Sequence, residues 1–323
     1  MSDDRQNERG DQAFRADSLY GRAPEMTYGG ALSFLRRRYT RAIDGADLVV
    51  SGMPFDLATT NRPGSRFGPQ AIRAASTQLA ELDAFPWNFD PFDHLAVADW
   101  GDCHLPPGDP QQMEASMLAH ARAILAAGAQ MLTLGGDHYI AWPLLRAHAE
   151  RYGPLSLIQF DAHPDTWDNT GGPLDHGTLI ARAVREGVVD PARSIQIGIR
   201  TQGPDYGFAV VDAPWVHEHG RAAVLDRVRA VVGDRPAYLT FDIDCLDPAF
   251  APGTGTPVAG GLSSAQALAI LRGTGDVSVV GMDVVEVAPA YDHSQITALA
   301  AATLAHDHLC VRADAKRRGR ESR

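Results

Sequence analysis

Three short segments of this chain concentrate side chains that can ligate a metal ion: Gly135-Gly136-Asp137-His138, Asp161-Ala162-His163-Pro164-Asp165 and Asp242-Ile243-Asp244. Six of those side chains, His138, Asp161, His163, Asp165, Asp242 and Asp244, are candidates to close around two ions. Mixed carboxylate and imidazole donors suit a divalent ion such as Mn²⁺, Zn²⁺ or Ni²⁺. Two cations about 3.5–4 Å apart that share carboxylates lower the pKa of a bridging water and present hydroxide near neutral pH, so the expected chemistry is hydrolysis. Spacing agrees, because an extended backbone turns Asp161, His163 and Asp165 to one face, and likewise Asp242 and Asp244. Taken singly, each residue also reads as a cap or turn residue. The weight comes from every segment standing behind an apolar, strand-like run.

Those runs cover residues 47–51, 95–99, 130–134, 155–160, 194–199, 208–211, 237–241 and 277–285. Several, such as Leu-Ser-Leu-Ile-Gln-Phe, are apolar with little alternation, as strands covered on both faces are. Between them lie amphipathic stretches at 69–82, 111–127, 140–151, 176–186, 220–232 and 263–272, and a final helix over about 294–311. Gly128 and Gly153 fall where helix C-caps belong and Ser263 where an N-cap belongs. Strand–helix alternation implies an α/β fold of three layers, α/β/α, around a mostly parallel, roughly eight-stranded sheet. Ligands of such sheets bind beyond the carboxyl ends of the strands. His138, Asp161 and Asp242 all fall there.

The chain has 323 residues, 45% of them hydrophobic, ample for one large core. We read residues 1–28 as a flexible N-terminal arm, 29–313 as a single catalytic domain and 314–323 as a solvated basic tail. A formal net charge of −11 argues against nucleic-acid and anionic-membrane partners; it would help attract a small cationic substrate, although ordinary solubility explains it equally well. Neither a signal peptide nor a membrane-spanning run stands out. Cys103, Cys245 and Cys310 are few and scattered, fitting reduced thiols and a cytoplasmic location.

Together the motifs resemble one family closely. Met53-Pro54-Phe55-Asp56, Gly68-Pro69, Gly-Gly-Asp-His at 135–138, Phe-Asp-Ala-His-Pro-Asp-Thr at 160–166, Thr-Phe-Asp-Ile-Asp-Cys-Leu-Asp-Pro at 240–248 and Gly281-Met282-Asp283-Val284-Val285-Glu286-Val287 are similar to ureohydrolases, the arginase and agmatinase group, and nearest the bacterial agmatinases. The resemblance covers roughly residues 45 to 310 and implies an arginase-like fold. It also implies two Mn²⁺ per subunit, with Ni²⁺ or another divalent ion as the variant. One ion would be held by His138, Asp161, Asp165 and Asp242, the other by Asp161, His163, Asp242 and Asp244. Pro164 departs from the Thr common in the family, and its locked φ can tilt the loop without removing a ligand.

The same resemblance assigns Glu286 to the substrate guanidinium, which a carboxylate meets as a planar fork, and His176 to proton shuttling, for which its near-neutral pKa is suited. The plainer readings are a strand-end salt bridge for Glu286 and a helix-start histidine for His176. Trp167 can line the pocket, whereas Trp142 reads as core. His217 with His219 and His306 with His308 are spaced i, i+2, which on a helix face different ways; for His306 and His308 this suggests surface or interface packing. The segment 166–175 offers Asp168 and Asp175, which suit a distal amine. We therefore expect agmatine and water to give urea and putrescine. The alternative is another guanidino compound (guanidinobutyrate, guanidine or a biguanide), with nickel as the variant ion; residues 61–68 form a loop that can decide between them. A silent subunit and a zinc deacetylase fit the full set of ligands less well. The family implies a homo-oligomer, trimer or hexamer.

Overall fold

A computed structural model describes residues 18–21, 26–80, 83–168 and 174–319. Its strands are β1 (Leu48–Met53), β2 (Val97–Asp102), β3 (Gln130–Gly135), β4 (Ser156–Phe160), β5 (Ile195–Ile199), β6 (Ala209–Asp212), β7 (Ala237–Asp242) and β8 (Val279–Val285). They form one eight-stranded sheet in the order β2-β1-β3-β8-β7-β4-β5-β6. Every neighbouring pair is parallel. Parallel pairs need a crossover, usually a helix. The helices are α1 (Gly68–Ser76), α2 (Pro110–Ala126), α3 (Ala141–Tyr152), α4 (Leu179–Arg185), α5 (Ala213–Val232), α6 (Ser264–Leu271) and α7 (Ile296–Arg317).

Side-chain alternation along the strands divides the core in two. Leu132, Leu134, Ile158, Phe160, Leu239, Phe241 and Val284 face α1, α5, α6 and α7. Met131, Leu157, Tyr238 and Val285 face α2, α3 and α4. Helices thus cover both faces, which explains why these strands read as nearly unbroken apolar runs. No helix among the described residues is long and apolar enough to cross a membrane.

Some boundaries depart from the sequence expectation. The stretch expected to be helical from 176 becomes helix only at Leu179, because Asp175 and Gly177 form a turn in which the Asp175 carboxylate accepts the Gly177 amide. α5 begins at Ala213, where the Asp212 side chain caps it by accepting the Trp215 amide, and Gly220 at φ 71° interrupts it. Ser263 caps α6 in a reciprocal capping box with Gln266. α7 continues past 311 to Arg317, with Lys316 and Arg317 in its last turn, where cations suit the helix dipole. His306 and His308 are buried in that helix rather than on a surface. Burial lowers their pKa values, to about 4 and about 3. The N-terminal arm lies mostly outside the described residues, as do residues 320–323 of the tail and 169–173 of the segment read for its distal-amine carboxylates.

What positions the site is the middle of the sheet. β3, β8, β7 and β4 lie side by side, and since all run the same way their carboxyl ends form one edge. The chain leaves β4 toward β5 but leaves the neighbouring β7 the opposite way, toward β8, so the direction of winding switches between these two strands. Such a switch opens a crevice beyond the strand ends.

Candidate metal centre and cleft

Each ligand segment leaves its strand through a turn in which an aspartate accepts the amide two residues on. The Asp137 carboxylate accepts from Tyr139 N at 3.0 Å, Asp161 from His163 N at 2.6 Å and Asp242 from Asp244 N at 2.8 Å. Turns of this type, not an extended backbone, gather the ligands. Asp165 has φ 52° and Ile243–Cys245 is a single tight helical turn, so these side chains meet by a different route from the strand alternation expected. Gly135 and Gly136 are needed for crowding: a Cβ on either would lie 2.6 Å from Val285 Cγ1 or Phe55 O respectively.

The six predicted ligands come together. Oxygen and nitrogen atoms of His138, Asp161 and Asp242 lie within 4.8 Å of one another, as do those of Asp161, His163 and Asp244. Asp161 belongs to both groups, Asp242 to the first. Asp165 completes the first, its Oδ2 standing 2.8 Å from His138 Nδ1. Asp161 Oδ2 and Asp242 Oδ2 are 3.2 and 3.4 Å from the same nitrogen, yet this buried Nδ1 completes no hydrogen bond. On the other side, His163 Nδ1 lies 3.0 Å from Asp244 Oδ2.

Such crowding has an electrostatic signature. Burial, with Asp161 beside it, pushes Asp165 up to about 7; burial, Asp244 and Asp161 push Asp242 well above the carboxylate range. Burial alone would lower the His163 pKa, but Asp161 and Asp244 raise it to about 12. The cluster therefore collects protons because it carries too much negative charge for its depth. Divalent cations meet the same demand, and oxygen with imidazole nitrogen is the donor set that Mn²⁺, Zn²⁺ or Ni²⁺ accepts. The residues fit a metal centre.

His138 is held for that role from behind. Its Nε2 lies 2.8 Å from Thr240 Oγ1. Thr240 in turn donates to Asp283 Oδ1 at 2.5 Å, and Tyr238 donates to Asp283 Oδ2 at 2.9 Å. With the threonine proton spent on Asp283, its oxygen can only accept from the imidazole. His138 therefore carries its proton on Nε2 and turns the Nδ1 lone pair toward the carboxylates. Gln159 Nε2 similarly donates to Asp161 Oδ2 at 2.8 Å. Arg200 reaches the carbonyls of Asp244, Cys245, Leu246 and Val258 and so fixes the turn that carries Asp244.

Glu286 follows β8 at φ 64°, a conformation that costs a non-glycine residue about 1–3 kcal/mol and is tolerated where surroundings impose it. Its Oε1 accepts the His138 amide at 2.8 Å and meets His176 Nδ1 at 2.8 Å. Its Oε2, fully buried, has no hydrogen-bond partner among the described residues. The Thr60 amide donates to His176 Nε2 at 2.9 Å, with Thr60 Oγ1 at 2.7 Å from the same nitrogen. An amide can only donate, so the neutral ring carries its proton on Nδ1 and gives it to Glu286. Burial would lower the His176 pKa, but the hydrogen bond and charge of Glu286 raise it to about 9.

Above these groups a cleft of about 440 Å³ opens, lined by Thr60, Trp167, Asp168, Asp175, His176 and Thr256 among others. Trp167 lines it as expected, and Trp142 is core. Sequence reading missed Thr60, Thr240, Asp283, Gln159 and Arg200. Three of them carried a usable signal: Gln159, Thr240 and Asp283 are polar interruptions in strands otherwise apolar on both faces.

With this geometry in hand, comparison with known proteins is direct. The Arginase family model matches residues 46–310, and the chain belongs to that family. It is 58% identical over 305 residues to the agmatinase of Chromobacterium violaceum, 94% of this chain and 95% of that one. The crystal structure of a hypothetical agmatinase from Burkholderia thailandensis superposes with a TM-score of 0.94 at 62% identity, covering 95% of this chain and 98% of the other. Proclavaminate amidino hydrolase from Streptomyces clavuligerus superposes with a TM-score of 0.86 at 41% identity, covering 91% and 100%. These likenesses place the chain among the agmatinase-type ureohydrolases, and thus among enzymes.

Proposed function

We propose that the protein hydrolyses the guanidino group of agmatine, releasing urea and putrescine. The observation that carries this is Glu286 Oε2, a fully buried carboxylate oxygen without a partner among the described residues, on a side chain bonded to His176, which lines an acidic cleft beside the ligand cluster. Guanidinium pairs with a carboxylate through two parallel N–H···O bonds; Glu286 offers one free oxygen and one already held by His138 and His176.

In this reading Mn²⁺ is the resident ion, one held by His138, Asp161, Asp165 and Asp242 and another by Asp161, His163, Asp242 and Asp244. When bound, the pair supplies water acidic enough to attack near neutral pH. The protein's own groups do the rest. Glu286 binds the guanidinium and fixes its carbon over the cluster, converting attack into a step within one complex. Addition of the water oxygen to that carbon, with one water proton released to solvent, gives a tetrahedral intermediate; breaking its bond to the alkyl-bearing nitrogen, as the remaining hydroxyl proton is released, gives urea and an amine, and that nitrogen needs a proton to leave. His176 supplies it from Nε2. Thr60 serves both states of that atom: its amide donates to the neutral ring, and its hydroxyl oxygen can accept from the protonated one. Nδ1 keeps its bond to Glu286 throughout.

The same reading takes residues 29–313 as one catalytic domain acting in the cytoplasm, which three free, buried cysteines support, and as part of a trimer or hexamer. A urea-release panel with Mn²⁺ and then Ni²⁺ tests it. Agmatine should give the highest kcat/KM; a higher value for guanidinobutyrate, guanidine or a biguanide would transfer the assignment to that compound.

A further inference from the structure

Glu286 takes the guanidinium at the floor, so the other end of the substrate must be met higher in the cleft. Beyond the ligand cluster the cleft wall carries two carboxylates, Asp168 and Asp175. Asp168 is engaged: its Oδ1 lies 2.7 Å from Arg185 Nη1. Asp175 uses Oδ1 to accept the Gly177 amide at 3.0 Å, which leaves its other oxygen for a ligand. Gly177 places an aromatic face beside that carboxylate. A Cβ on Gly177 would lie 3.1 Å from Trp167 Cε3 and 3.5 Å from Asp175 Oδ1. The indole and the carboxylate therefore flank one glycine, and the Trp167 amide ties the two segments by donating to Gly177 O at 3.1 Å. Trp167 also reaches the ligand cluster, its ring centroid 6.1 Å from that of His163. It keeps 36% of its surface exposed, on the cleft wall.

An indole face next to a carboxylate suits an alkylammonium, which gains cation–π attraction and a charge-assisted hydrogen bond together. We propose that Trp167 and Asp175 form the specificity subsite that selects a substrate whose tail ends in an ammonium group. This rests on the guanidino-hydrolase reading and adds to it the residues that choose the tail. Asp175 repels a tail ending in a carboxylate, and neither residue rewards a neutral one.

The test compares agmatine with pentylguanidine, in which a methyl group replaces the ammonium, and with guanidinobutyrate. Asp175→Asn is the informative variant because an asparagine carbonyl can still accept the Gly177 amide and preserve the turn. The kcat/KM ratio of agmatine over pentylguanidine should fall by about tenfold, mainly through KM, and guanidinobutyrate should gain relative to both. Trp167→Leu should lower the same ratio, and Trp167→Phe should restore much of it. Asp168→Asn should leave the ratio unchanged. Equal losses for all three substrates in Asp175→Asn would show a merely structural role and overturn the subsite, as would a ratio that collapses in Asp168→Asn instead. If the unsubstituted enzyme releases no urea from agmatine while hydrolysing another guanidine, the broader reading fails and the subsite with it.

Discussion

Beneath the cleft Asp161, Asp244 and Glu286 are completely buried, and each is held by backbone amides or neighbouring side chains before any substrate arrives. At the rim, Asp168 and Arg185 form an ion pair with side chains 42% and 38% exposed. Removing a partner at the floor leaves a desolvated charge and a broken network, while removing one at the rim exposes a group that water already reaches. Among the buried groups, Asp165 and Glu286 also adopt left-handed backbone. On the proposed reading the chemistry lies in these buried groups and the choice of substrate tail in the more exposed wall.

The sharpest break of that contrast comes from Asp161, which belongs to both donor groups. Asp161→Asn should cut urea release by about three orders of magnitude or more, since metal charge stabilisation is worth several kcal/mol; a loss of less than tenfold would show that the groups do not act together. Next in size, His176→Asn should lower kcat by about 10²–10⁴-fold, the usual contribution of a positioned general acid. In the unsubstituted enzyme the rate should fall as pH rises through about 9, where His176 loses its proton, and the variant should lack that limb. The sign of the matching stability effect is fixed. A histidine whose pKa is raised by folding stabilises the fold fully below its ordinary value of 6.5, and that contribution is lost as pH rises through about 9.

A smaller effect is expected behind the ligands. Thr240→Val removes the acceptor that sets the His138 tautomer and should weaken metal affinity by about 10–100-fold, with Thr240→Ser recovering most of it; calorimetric titration with Mn²⁺ reads this directly. The smallest belongs to the rim. Arg185→Ala, which breaks only an exposed pair, should change unfolding free energy by no more than about 1 kcal/mol. A denaturant titration showing a loss several times larger would place the rim under the same constraints as the floor.

How much of this could be read from the chain alone follows from the distance over which each interaction acts. The eight strands were legible because burial on both faces writes an apolar run into local sequence, and the clustered acids and histidines because charged groups end those runs abruptly. The start of α4 was not, since the turn at Asp175–Gly177 is decided by one side-chain hydrogen bond that competes with an otherwise helical pattern. Thr60 was invisible for a different reason. Its contact with His176 joins residues 116 positions apart, and nothing local distinguishes it from any loop threonine. Thr240 and His138 are separated by 102 positions, but a hydroxyl inside an apolar strand is at least a local anomaly that asks for a partner. Arg200 spends its guanidinium on backbone carbonyls, which leave no mark in side-chain identity at all.

Metal content of the purified, dialysed protein, measured by mass spectrometry after loading with Mn²⁺, bears most directly on the centre. Two ions per chain are expected, with both lost in Asp161→Asn. A protein that releases urea from agmatine while retaining no stoichiometric metal would contradict the assignment of these six side chains.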